Sequence, residues 1–309
     1  MRYAIIGTGG IGGYYGAKLA RSGQEVHFLL HSDYDYVKEH GLRVDSCDGD
    51  FELPQVNAYR STADIPQVDV VLVCLKSTRN HLLRELLPPL LHEQTIVVLI
   101  QNGIGLEADV EQMFPHIQLV AGLAFICTAK TEPGRVNHQC YGSINFGNYS
   151  CRDEERFQQM VTDFRNADVK AGVVEYHEAR WRKAVWNMPF NGMTVALDTQ
   201  TDCLLKMPST RALIREQMME VIGAARALGV TIDEQFVDQM IQMTDEMTPY
   251  SPSMKLDYDF HRPMEIEYLY TRPIAEARKV GYCMPKLEML EAELRFLEAC
   301  SPQKPSHDN

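Results

Sequence analysis

Lys183, Asn187, Asn191 and Thr194 recur at helical spacing inside a stretch, Arg180 to Leu197, whose centre is otherwise apolar. At about 100° per residue the four fall within an arc of about 80° on one helix face. A buried polar stripe costs free energy unless hydrogen bonds satisfy it, and a bound polar substrate would do so. The lysine is the member with chemistry. Hydride delivery to a ketone leaves an alkoxide that needs a proton or a nearby positive charge, and a partly buried lysine of lowered pKa can supply it. Such a lysine needs a partner to hold it, which points to Asn102 or a carboxylate. The plainer alternative is a snorkelling surface lysine with two asparagines bridging helices. Pro189 removes one N–H from the stretch, so a kink is predicted there.

A second constellation lies at the start of the chain. Gly7-Thr8-Gly9-Gly10-Ile11-Gly12 is a GxGxxG run between an apolar strand and a helix. In that setting the first glycine permits the tight turn, the second lets a pyrophosphate approach, the third lets helix pack on strand, and the helix N-terminus attracts phosphate. The end of the next strand, Leu30-His31-Ser32, chooses the dinucleotide. An acid at His31 would bond ribose hydroxyls and repel a 2′-phosphate, whereas His31 and Ser32 donate to one, so NADP is expected. Asp33 and Asp35 follow closely and keep NAD open; His31 as a solvated loop histidine is the bland reading. Lys76 and Asn102 follow two further apolar runs, where open α/β sheets bind ligands. Lys76 suits a phosphate or carboxylate, and Asn102 suits the nicotinamide ribose or another side chain. Surface charge and a plain Asn-Gly turn are their alternatives. Ser253 could cap a short helix or bind a carboxylate. Glu265 is read into the first turn of the following helix, where an acid is favoured by the dipole alone.

These residues need a scaffold, and the patterning supplies one. Strands are predicted at Tyr3–Ile6, Val26–Leu30, Val68–Leu75, Thr95–Ile100 and Leu119–Cys127, with a helix to about Arg21 and helical stretches at Asn80–Leu91, Gly105–Met113 and Glu154–Asn166. The near-continuous apolar runs mark parallel strands covered on both faces. Arg135 to Asn148 reads as one or two strands with a turn at Tyr141-Gly142. From Glu178 onward only helices are predicted: Arg180–Leu197, Thr210–Leu228, Asp233–Met243, Pro263–Val280 and Pro285–Ala299. The fold class is therefore α/β, a Rossmann-type doubly wound sheet (residues 1–174) followed by an all-helical substrate domain (175–309). The tail from Ser301 is polar and expected to be disordered.

Composition narrows the partners. The chain has 309 residues and a net charge of −12, which argues against nucleic acid. No apolar run approaches the ~20 residues that span a bilayer, and the N-terminus reads as a first strand. Eight scattered cysteines without a CxxC pair or a histidine at ligand spacing predict reduced cytoplasmic thiols and no metal.

The combined motifs resemble the ketopantoate reductase family over nearly the whole chain. The resemblance rests on Gly7-x-Gly9-x-x-Gly12, Lys76, Gln101-Asn102-Gly103, Trp181-x-Lys183-x-x-x-Asn187-x-x-x-Asn191 with Thr194, Ser253-Met254, and Glu265 twelve residues after Ser253. It implies reduction of a 2-keto acid by NADPH, 2-dehydropantoate foremost, in pantothenate biosynthesis. It further implies Lys183 as general acid, Glu265 orienting the substrate, Asn187 and Asn191 on the substrate hydroxyl, Ser253 on the carboxylate, and Lys76 and Asn102 on the cofactor. The chain departs from the family's pattern at His31 (arginine in well-studied members), Arg79 (glutamine in some), Tyr250 and Thr201 (asparagines). A homodimer is compatible with this reading. Two alternatives are a related hydroxy-acid dehydrogenase acting on another substrate and a non-catalytic NADPH-binding sensor, for which the acid at Lys183 would have no use.

Overall fold

The computed structural model describes residues 1–249 and 251–300; Tyr250 and the tail from Ser301 lie outside the described residues. Contacts divide the chain into two units, Met1–Gln101 with Leu106–Tyr176, and Asn102–Gly105 with the chain from His177 onward.

The first unit is built on one ten-stranded sheet. Its centre is parallel: β5 (Asn57–Tyr59), β2 (Glu25–Leu29), β1 (Arg2–Ile6), β6 (Val70–Val73), β7 (Ile96–Leu99) and β8 (Gln118–Glu132), in that spatial order. β1, β6 and β7 are almost wholly buried runs of Val, Ile and Leu, as strands covered on both faces must be. The chain winds outward from β1 to β2 and β5, then returns to the other side of β1 for β6, β7 and β8. The order reverses between β1 and β6, the switch point at which such sheets bind ligands. Beyond β8 the sheet turns mixed. β9 (Arg135–Asn148) pairs antiparallel with β8 and parallel with β3 (Leu42–Ser46), which carries the short β4 (Phe51–Leu53) antiparallel on its far side; β10 (Ala171–Val174) pairs parallel with β9.

β9 is a single strand. Tyr141 and Gly142, read as a turn from sequence, form a bulge instead, with φ of +68° and +110° and a register shift against β8. The stretch from Asn80 is also not one helix: it breaks into 3-10 turns and the four-residue α3 (Leu83–Leu86), because Pro88 and Pro89 each lack the N–H that would carry it on. The expected helices form as α1 (Gly10–Arg21), α4 (Leu106–Met113) and α5 (Glu154–Asn166), and a further short helix, α2 (Tyr34–His40), follows β2. The core joins Tyr3, Ile5, Tyr15, Phe28, Val98, Phe146, Phe157 and Phe164, all fully buried or nearly so.

The second unit is helical throughout its described residues. Its elements are α6 (Tyr176–Ala196), α7 (Thr201–Lys206), α8 (Pro208–Ala227), α9 (Gln235–Glu246), α10 (Ser253–Asp259), α11 (Arg272–Lys279) and α12 (Pro285–Cys300). α6 runs through Pro189 as one helix. It lies in a core with Trp181, Phe190, Met218, Tyr270 and Leu287. The predicted helix from Pro263 begins only at Ile266 and opens into a wide π turn over Glu267–Thr271. Pro273 explains the width: without an N–H it cannot bond one turn back, and the extra residue absorbs the mismatch. No helix among the described residues is long and apolar enough to cross a membrane.

Candidate active site

The glycine turn follows β1 at the switch point. Gly7 takes φ +94°, and a Cβ there would come within 2.6 Å of the Leu75 backbone nitrogen. Gly12 is needed more strictly, since a Cβ would stand 2.3 Å from the Gly7 carbonyl. Gly10 packs on β8, where a Cβ would meet Thr128 and Ala129 backbone atoms at 2.9 Å. Gly9 differs from these three: a Cβ would meet nothing within 4 Å, so this glycine faces open space at the N-terminus of α1. Thr8 is buried and its hydroxyl donates to the Leu29 carbonyl at 2.9 Å, tying the turn to the end of β2. Ile11 is half-buried in the first turn of α1.

His31 and Ser32 are exposed just beyond β2. The two acids after them are engaged elsewhere. Asp33 is buried against Lys130, with nitrogen and oxygen 3.1 Å apart, and Asp35 pairs with Arg60 at 2.6 Å. The negative charge that would disfavour a phosphate beside His31 is therefore largely compensated.

Lys76 follows β6 half-buried. Beneath it lies a device that the sequence reading missed. Asn80 and Gln101 exchange two amide hydrogen bonds, 3.2 and 2.7 Å, and Gln101 also donates to the Leu75 carbonyl at 2.8 Å. Both side chains are buried, so this pair locks the carboxyl ends of β6 and β7 together. Arg79 sits in the same 3-10 turn, half-buried.

In the helical unit, the tetrapeptide Asn102–Gly105 packs onto the wide turn around Tyr268. Ile104 N–H donates to the Tyr268 carbonyl at 2.9 Å. Gly103 takes φ +117°, and a Cβ there would lie 2.5 Å from Tyr268 Cβ, so glycine is required on two counts. Gly103, Ile104, Tyr268 and Leu269 line one small cleft with Arg180, Lys183 and Asn187 of α6. Asn102, next in the chain to this wall, is half-buried.

Lys183 is half-buried in that cleft. Its pKa is lowered to about 7: burial is the largest cause, the like charge of Arg180 adds to it, and Glu265 opposes both. Arg180 and Glu265 are each almost fully buried. Glu265 does not lie in the first turn of the helix, as its spacing suggested. It immediately precedes it, and its carbonyl accepts the Leu269 N–H at 3.3 Å. Its charge acts on Lys183 as a counter-charge. A lysine that loses its proton near neutrality, next to a carboxylate, is a competent proton donor.

The rest of the stripe divides. Asn187 is buried and lines the cleft. Asn191 donates to the Asn187 carbonyl at 2.9 Å and accepts the Met254 N–H at 3.1 Å. It therefore holds the first turn of α10 and with it Ser253, which is half-buried; one N–H and one lone pair of the amide remain for a ligand. Thr194 bonds back to the Phe190 carbonyl at 2.7 Å and is satisfied by its own helix. Lys255, also missed from sequence, is buried and bridges Asp198 (2.8 Å) and Asp259, anchoring α10 to the end of α6. Thr201 is fully buried at the start of α7.

Two family models match the chain, ketopantoate reductase PanE/ApbA over residues 3–150 and its C-terminal part over 175–298. A 2-dehydropantoate 2-reductase of Nostoc sp. is 43% identical over 303 residues, covering 96% of this chain and 95% of that protein. The crystal structure of a 2-dehydropantoate 2-reductase from Geobacter metallireducens GS-15 is 40% identical with a TM-score of 0.93, covering 96% and 99%. A D-mandelate dehydrogenase solved with NADH and anilino(oxo)acetate has a TM-score of 0.89 at 23% identity, covering 97% and 99%; it shares the fold.

Proposed function

The chain belongs to the ketopantoate reductase family, an oxidoreductase family, and from that premise we propose that it reduces a 2-keto acid, 2-dehydropantoate foremost, with NADPH as the donor and Lys183 as the general acid. The observation that carries the reading is the cleft in which Lys183, tuned to about pH 7 and opposed by Glu265, stands beside Asn187.

The cofactor reading rests on fit. Gly9 leaves space at a helix N-terminus where a phosphate is favoured, and the exposed His31 and Ser32 stand beside acids already neutralised by Lys130 and Arg60. Those features favour the 2′-phosphorylated dinucleotide. Lys76 supplies positive charge at the same sheet edge, and Asn102 supplies an amide. When bound, the nicotinamide supplies the hydride to C2 of the keto acid.

The chain's own residues do the rest. Lys183 donates its proton to the carbonyl oxygen as negative charge develops there, so the product leaves as the hydroxy acid and the lysine as a neutral amine that recovers a proton from solvent. Glu265 keeps the ammonium populated and aimed. Asn187 and Asn191 hold a substrate hydroxyl, and Ser253, positioned through Asn191 and Met254, binds the carboxylate. Thr201, fully buried at the start of α7, falls near the position of a family asparagine, so it bears on which keto acid is preferred. The test is steady-state NADPH oxidation over branched and hydroxylated 2-keto acids, repeated with NADH. The highest kcat/KM is expected for 2-dehydropantoate with NADPH; preference for another keto acid, or for NADH, refutes that part of the proposal. Tight NADPH binding without turnover of any keto acid would mean a sensor.

A further inference from the structure

Among the described residues, one place brings three metal-ligating side chains of different kinds together, none of them a residue of the glycine turn or of the Lys183 cleft: Cys47, Asp48 and His138. The first two sit in the turn between β3 and β4; the third belongs to β9, ninety-one positions after Cys47. Parallel pairing of β3 with β9, Ser46 opposite His138, is what joins them. The cysteine spacing alone conceals the cluster, because no two of its ligands form a short motif.

We propose that Cys47, Asp48 and His138 form a binding site for a borderline-soft divalent transition metal ion of the zinc type. The Cys47 Sγ lies 3.8 Å from His138 Nδ1 and 3.9 Å from Asp48 Oδ1. Around a tetrahedral zinc, with Zn–S about 2.3 Å and Zn–N or Zn–O about 2.0–2.1 Å, neighbouring ligand atoms stand about 3.6 Å apart. The two distances from Sγ therefore need to close by only a few tenths of an ångström, and the exposed Asp48 side chain, within 4.8 Å of the other ligand atoms, turns to complete the closure.

The frame that holds them is rigid. Cys47 N–H donates to the His138 carbonyl at 3.0 Å, Gly49 N–H to the Ser46 carbonyl at 2.9 Å, and Ser46 N–H to Asp50 Oδ1 at 2.8 Å. Gly49 takes φ +112°, which fixes the turn. The His138 ring is 1% exposed and packs against Tyr14 with ring centroids 4.3 Å apart and planes tilted by 44°, so it has little room to rotate. Its Nε2 lies toward Gly142. Nδ1, 2.8 Å from Ser46 Oγ and 3.8 Å from Cys47 Sγ, is the ring nitrogen that faces the cluster, while Nε2 is buried without a hydrogen-bond partner.

Charge and donor type agree. A thiolate, a carboxylate and a neutral imidazole together balance a 2+ ion, and the thiolate selects zinc-like ions over magnesium or calcium. Ser46 Oγ, 2.8 Å from Nδ1, must turn aside and can then serve the fourth position directly or through water. Lys18, whose charge also reaches His138, works against the ion and sets the affinity below that of a four-ligand structural site.

The test is a cobalt(II) titration of the full reduced chain, read by the thiolate-to-cobalt charge-transfer absorbance, with zinc displacing the signal. It compares the native chain with Cys47→Ser and Asp48→Asn. Both residues are exposed, so both variants keep the fold, checked by an unchanged melting curve without metal. The expected result is one saturable micromolar site, with the band lost in Cys47→Ser and the affinity lowered about tenfold or more in Asp48→Asn. No saturable binding by the native chain overturns the proposal. So does an intact band in Cys47→Ser, which would place the ion on another of the thiols.

Discussion

Arg180→Met removes the like charge that stands one helical turn before Lys183. Side chains three residues apart on a helix have Cβ atoms about 5–6 Å apart. Two unit charges about 6 Å apart at an effective dielectric near 20 repel by roughly 2.8 kcal/mol, or about two pK units. Lys183 is only half-buried, so solvent screening reduces this, and a rise of about one unit is expected. Burial, the larger cause of the depression, stays in place. The sign follows from the chemistry. A general acid works when protonated, so with its pKa at about 7 the lysine is competent below neutrality, and roughly a tenth of it remains protonated at about pH 8. The alkaline limb of kcat/KM should therefore fall near pH 7 in the native protein and about one unit higher in Arg180→Met. Arg180→Lys should leave the limb where it is. The assay is NADPH oxidation with saturating cofactor across neutral to alkaline pH. A limb that does not move in Arg180→Met, while kcat drops, would refute the electrostatic coupling and leave Arg180 a purely structural residue.

Two further outcomes follow from the geometry. Asn191→Ala removes the acceptor for Met254 N–H, which should lower stability by about 1–2 kcal/mol and raise KM for the keto acid more than it lowers kcat; denaturant melts and steady-state kinetics check both. Gly12→Ala places a Cβ 2.3 Å from the Gly7 carbonyl, so it should cost about 1–3 kcal/mol and weaken NADPH binding, measured by fluorescence titration, while the pH limb set by Lys183 stays put.

What could be read from sequence was what local pattern encodes. The buried strands β1, β6 and β7, the glycine turn and the polar stripe of α6 declare themselves through apolar runs and spacing. The strands β3, β4, β5 and β10 do not, being three to five residues long, partly exposed and dependent on neighbours for their pairing. Tyr141-Gly142 looked like a turn because a positive φ is shared by turns and bulges; only the partner strand distinguishes them. Within the site, local spacing put Lys183 and Asn187 on one face but could not reveal that Asn191 caps α10, sixty-three positions away, or that Thr194 satisfies itself. Nor could it assign Asn102–Gly105 to the helical unit, since that depends on a glycine fitting against Tyr268. The helix expected from Pro263 starts only at Ile266, which leaves Glu265 outside it, and no local spacing marks that boundary.

The claim that organises the rest is that Lys183 gives the proton. Its most direct measurement is Lys183→Ala, with NADPH affinity and single-turnover reduction of 2-dehydropantoate followed on the same preparation. The account predicts affinity within about twofold of the native protein and reduction slowed by about 10²–10⁴-fold. Reduction at the native rate, with the native alkaline limb retained, would contradict it.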